Sequence, residues 1–201
     1  MSKIRIIRKG SYKSYLKPAV NGGAALAVIV FLLSLIDNSV WASLSYGLGL
    51  WGFFFFIFAL GFFNEEYYER KKKLKYVQTP LFDFLHLQDF MLNENFDFKG
   101  TYKEHHFIVL TLDHFIQVSK RRRKRIKIIH IITPYTFPDI NTDYYKREQE
   151  LTGFYNMGHV EFANNQAHLI PSDMENVDFE ACFKGMIGLL QREGLQPDEF
   201  E

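Results

Sequence analysis

Cysteine occurs once in 201 residues, and between Ala19 and Phe63 a single charged residue, Asp37, stands among forty-five positions. A lone Cys182 excludes an internal disulfide and suits a reducing compartment. The first 18 residues contain no acid, and the polar turn Asp37-Asn38-Ser39 contains no Lys or Arg. Catalytic signatures are missing as well: no HExxH, no Cys/His pair at zinc spacing, no GxSxG, no GxxxxGK followed by Ser or Thr, and no GxGxxG. Nothing in the sequence calls for a metal or a cofactor, and a non-enzymatic role is the leading expectation.

What is present is apolar residue in excess, 47% hydrophobic and 17% aromatic, and unevenly placed. Two uninterrupted runs, 19–36 and 41–63, hold 18 and 23 residues. About 20 apolar residues cross a hydrocarbon core of roughly 30 Å. Neither run has the polar face that a core helix of a soluble protein carries, so the pair is read as a transmembrane hairpin. A cleaved signal peptide would leave the second run unexplained.

Flanking charge sets the orientation. Lys3, Arg5, Arg8, Lys9, Lys13 and Lys17 precede the first run, and Arg70, Lys71, Lys72, Lys73 and Lys75 follow the second. The positive-inside rule then places both termini in the cytoplasm of a plasma (inner) membrane protein. Four segments are expected: a basic N-terminal stretch 1–18, the hairpin 19–63, a basic juxtamembrane helix 64–76 and a cytosolic domain 77–201. In the juxtamembrane helix, Glu66 with Arg70 and Glu69 with Lys73 stand at i,i+4 spacing.

Within 77–201 the pattern predicts an α+β domain with an antiparallel sheet carrying helices on one face. A short amphipathic helix follows Thr79-Pro80. Two strands meet near Lys103 to His106, and RIKIIHIIT reads as a buried strand after the basic run. A helix starts at Thr142 or Asp143 and runs to Leu151. A β-hairpin turns at Asn164-Asn165, and a helix in DFEACFKGMIGLLQREGL ends before Gly194. Gly100 marks a bulge or a close backbone approach. Each histidine is expected at the surface, because neighbouring strand residues such as His105 and His106 point to opposite faces and do not chelate together.

Charge within the domain is polarised. From Val77 to Glu201 there are 13 basic against 19 acidic residues, and seven of the 13 are Lys120, Arg121, Arg122, Arg123, Lys124, Arg125 and Lys127. Placed at a hairpin end, in the turn and at a strand entry, this run is expected to contact anionic lipid headgroups together with Arg70, Lys71, Lys72 and Lys73, as an electropositive collar. A solvated turn that blocks edge pairing is the competing reading. Nucleic acid is disfavoured, since no stacking platform or phosphate-cradling loop accompanies the charge. In the spans, Gly23, Ala27, Ser45, Gly49 and Gly52 form a small-residue pattern suited to helix packing within the hairpin or to homo-oligomerisation.

The resulting expectation is a membrane-anchored scaffold or sensor module at the inner leaflet that binds a protein partner or small ligand. The alternative is a membrane-disrupting effector whose hairpins cluster when the cytosolic domain assembles or binds a ligand. Two spans before a strand-containing domain resemble in layout the two-transmembrane, β-rich effectors of bacterial antiphage systems, although the C-terminal helix departs from a pure β-barrel.

Overall fold

The computed structural model describes residues 6–8, 10–119, 122–138 and 143–200. The chain divides into two compact units, Met1–Lys75 and Tyr76–Glu201.

The first unit is built on two apolar helices of 23 residues each, α1 (Tyr12–Ser34) and α2 (Val40–Phe62). Ser39 caps α2 by accepting the Ala42 N–H at 3.4 Å, which satisfies one of the orphan donors at a helix start. The helix continues through a π-helical stretch, Phe63–Glu69, into α3 (Arg70–Val77). The first helix begins well before the apolar run because backbone hydrogen bonding does not require apolar side chains.

The two helices pack along a seam of small residues, with Ala19 and Gly23 of α1 and Ser43 and Gly47 of α2 buried. A Cβ on Gly47 would stand 2.9 Å from the Ala27 carbonyl oxygen, and one on Gly23 would stand 3.1 Å from the Trp51 ring. Gly23 and Ala27 therefore lie in the contact between the two helices. Ser45, Gly49 and Gly52 do not: space around both glycines is open, and Ser45 is exposed, its hydroxyl donating to the Trp41 carbonyl at 3.0 Å. The seam runs through positions 43, 47 and 51; Ser45 and Gly49, two residues further on, are rotated by about 200° to the far side of the helix, and Gly52, one residue past Trp51, by about 100°.

The second unit is a mixed α and β body. A 3₁₀ turn (Pro80–Phe82) leads into α4 (Asp83–Leu87), and the strands are β1 (Met91–Leu92), β2 (Phe98–Tyr102), β3 (His105–Ser119) and β4 (Arg122–Thr136). Then follow α5 (Tyr144–Leu151), β5 (Gly153–Tyr155), β6 (Gly158–Ala163), β7 (Gln166–Pro171), α6 (Phe179–Arg192) and β8 (Gln196–Pro197). All pairings are antiparallel, in the order β1-β2-β3-β4-β7-β6-β5, with β8 joined to β4.

Local chemistry explains the turns. Lys103-Glu104 and Asn164-Asn165 each hold two consecutive residues at positive φ, the geometry of the tight turns that suit strand twist. Asp143 and Asp178 cap α5 and α6 by accepting the N–H groups of Lys146 and Ala181. Gly194 follows α6 at φ +72°, a left-handed termination that glycine adopts without strain. The strand β5 has no counterpart among the sequence expectations, since GFY is too short to show a period.

The core lies on one face of the sheet. Phe183 of α6 stacks on Phe107 at 4.3 Å and on Phe90 at 5.5 Å, while Phe82 stacks on Phe98 at 5.5 Å. At the other end of this face, Glu148 of α5 accepts the Tyr135 hydroxyl at 2.7 Å and the Asn165 N–H at 3.1 Å. Gly100 is the close approach its position suggests: a Cβ there would stand 2.6 Å from the Phe90 ring.

Candidate functional site: a basic two-stranded arm

β3 and β4 are 15 residues each, and their neighbours are much shorter. β2 pairs with β3 only as far as Val109, and β7 begins its pairing with β4 at Ile131. Among the described pairings, residues 110–119 and 122–130 bond only to each other. They form a two-stranded arm roughly 30 Å long at about 3.4 Å per residue.

The basic run is therefore not confined to a turn and strand entry, as its composition suggested. From Arg122 onward it is strand, and the pleat divides it between two faces. Arg123, Arg125 and Lys127 share the core side with Gln117, Phe115 and Asp113, their register partners, whereas Lys124 pairs with Ile116 on the opposite side. Lys120 and Arg121 lie outside the described residues, and for Arg122 the description stops at its backbone place in β4.

Two of the cations already have an internal anion. Asp113 receives Arg125 at 2.5 Å and lies 3.7 Å from Lys127. Hydrogen bonding from Arg125 holds the Asp113 carboxyl below its usual range. Lys127 also sits 4.2 Å from the centroid of the Tyr76 ring, a cation–π contact. Arg123 and Lys124 are exposed, so the accessible positive charge on the described arm is smaller than the residue count implies.

The cations that follow the second apolar helix are similarly engaged. Glu66 is buried and accepts the Arg8 guanidinium at 2.5 Å, with Arg70 Nε at 3.8 Å. Arg70 also donates to the Ile6 carbonyl. Lys71 reaches the Tyr67 hydroxyl at 3.3 Å and Lys72 the Glu69 carboxylate at 2.8 Å. Lys73 is half-buried.

The side of the arm away from the core carries a feature that the charge run concealed. By register, Ile108 with Ile132, Leu110 with His130, Leu112 with Ile128 and His114 with Ile126 line that face, a mostly aliphatic row interrupted by the two histidines. Leu112 and Ile116 are 47% and 39% exposed, and Phe115 on the other side is 59% exposed. RIKIIHI is thus not a fully buried strand, because Ile129 and Ile131 enter the core while Ile126 and Ile128 are only half-buried. Apolar residues at both odd and even positions, as in Phe115-Ile116 and Ile128-Ile129, were the available signal, since they leave part of the second face apolar whether or not anything covers it.

The histidines do not all behave as surface residues. His105 is buried, and burial lowers its pKa, with its Nδ1 left without a hydrogen-bond partner among the described residues. His130 and His168 are half-buried with ring centroids 5.2 Å apart, and desolvation lowers both. Among the described residues no group of three His, Cys, Asp or Glu side chains is arranged to hold a metal. The chain matches no family model, no curated protein and no solved structure, so the geometry alone carries the functional reading.

Proposed function

We propose that the chain is an integral membrane protein whose two apolar helices form a transmembrane hairpin with both termini cytoplasmic. The unit from Tyr76 onward is then a non-enzymatic scaffold or sensor module held at the inner leaflet, where it binds a protein partner or small ligand. The observation that carries this reading is the exposure of the two helices. In their most apolar windows only 11% and 6% of residues are buried. A core helix of a soluble protein hides such a surface from water, and here all but the narrow seam between the two helices faces outward. Basic residues at both cytoplasmic flanks and none in the intervening turn support the orientation.

Expression of the full chain with single cysteines at Asn38 and at Asn164 tests the arrangement. Resistance to alkaline carbonate extraction, labelling of position 38 from outside by an impermeant maleimide, and labelling of 164 only after permeabilisation are expected. Carbonate extraction into the soluble fraction, or labelling of 164 from outside, overturns it.

A second reading, the membrane-disrupting effector, draws support from Ser45, Gly49 and Gly52, whose exposed stripe permits lateral approach of hairpins from different copies. Growth arrest with loss of membrane potential on expression favours the effector, and harmless accumulation favours the scaffold.

A further inference from the structure

We propose that the outer face of the β3–β4 arm lies in an anionic lipid surface, with Leu110, Leu112, Ile116, Ile126 and Ile128 at the acyl boundary and Lys124, on the same face, among the phosphates. This rests on the membrane reading above and extends it from charge to apolar insertion. The first argument is mechanical. A two-stranded ribbon is marginal in water without a third strand or a packed face, yet this one extends about nine residues past β2 and β7, and in its outer row Leu112 and Ile116 are exposed while Leu110, Ile126 and Ile128 are half-buried. Ile116 is exposed on this outer face beside its register partner Lys124, and Phe115 is exposed on the opposite face beside Arg125.

The second argument is charge complementarity, and it selects the occupant. Residues 110–130 contain seven Lys and Arg and one acid, Asp113. A second copy stacked on the same face about a two-fold axis sets this charge against its own image, at short range and low dielectric. Anionic headgroups oppose it with the complementary sign, and apolar residues flanked by cations are the pattern of segments that lie in the interface.

Adjacent residues on opposite faces supply the test. In the full chain Cys182, buried and with its thiol pushed up to about 11, is replaced by Ala. The environment-sensitive fluorophore NBD is then attached at Ile116→Cys or, as the opposite-face control, Gln117→Cys. Each protein is reconstituted into vesicles of phosphatidylcholine alone or of equal parts phosphatidylcholine and phosphatidylglycerol. A blue shift at 116 that requires phosphatidylglycerol and is quenched by a lipid-borne spin label, with a much smaller effect at 117, is expected. Water-like emission at 116 in anionic vesicles overturns the proposal while leaving carbonate-resistant anchoring intact. A shift at 116 that is identical in both vesicles and shielded from the lipid quencher reveals a protein occupant and also overturns it. If the chain fails to anchor, the membrane reading falls separately. The same probe with vesicles added from outside still decides the arm, a lipid-dependent shift supporting insertion and its absence refuting it.

Discussion

Removing an acid from the arm should strengthen lipid binding, and removing the two exposed cations should weaken it. Near Arg125 and Lys127 the local charge is offset by Asp113, which lies 2.5 Å and 3.7 Å from them. The described run from 123 to 127 thus presents a net of three positive charges rather than four: Arg123, Lys124, and one from the Arg125–Lys127–Asp113 cluster. Each basic residue near an anionic leaflet contributes about 1 kcal/mol. Changing Arg123 and Lys124 to Gln removes about 2 kcal/mol, roughly a thirtyfold fall in partitioning. Asp113→Asn adds about 1 kcal/mol, roughly a fivefold rise. Residues 76–201 have their own core and can be assayed by flotation with phosphatidylglycerol-containing vesicles at about 0.1 M salt, where the Debye length is about 10 Å. Both effects should fade as salt is raised. Unchanged partitioning of Arg123→Gln/Lys124→Gln, or weaker binding of Asp113→Asn with its fold intact by circular dichroism, refutes the electrostatic reasoning.

Gly100→Ala should destabilise the second unit by about 1–3 kcal/mol, read as a lower thermal midpoint, because the new methyl meets a Phe90 ring fixed between neighbours. Gly47→Leu should loosen the helical hairpin in detergent, measured as faster proteolysis or lower thermal stability, whereas Gly49→Leu should be tolerated, since only the first meets backbone of the partner helix. Burial lowers His105, His130 and His168 below 6.5. The unfolded chain therefore binds protons first, and stability should fall as pH drops below about 6.5. Double replacement of His130 and His168 by Gln should flatten that slope in denaturant titrations between pH 7 and pH 5, and an unchanged slope would contradict their half-buried, uncharged placement. Asp113, shifted the other way, acts only at acid pH, through loss of its ion pairs at and below 3.8.

Several features of this fold follow from nearest neighbours in the chain. Asp143 and Asp178 mark helix starts, Asn164-Asn165 marks a turn and Gly194 marks a stop, because caps and turns depend on groups within three or four residues of each other. The candidate site was less accessible to such reasoning. A row of six cations shows where charge is concentrated, but not that Arg125 and Lys127 face an aspartate ten or more residues earlier on the adjacent strand. That pairing exists only through the β3–β4 register. Likewise, the spacing of Ser45, Gly49 and Gly52 resembles a packing motif, while the helix face that meets α1 is chosen by Gly47 against the Ala27 carbonyl.

By itself, then, the sequence determined two apolar helices, their charged flanks and the antiparallel α and β body, since hydrophobic period and local hydrogen bonding operate over short distances. Only the tertiary structure decided that β3 and β4 outrun their neighbours, that the pleat separates the cations onto two faces, and that Leu112 and Ile116 stay exposed on the face away from the core. Strand length is set by what pairs alongside, and exposure by what packs above, and neither is a property of a residue and its neighbours in the chain.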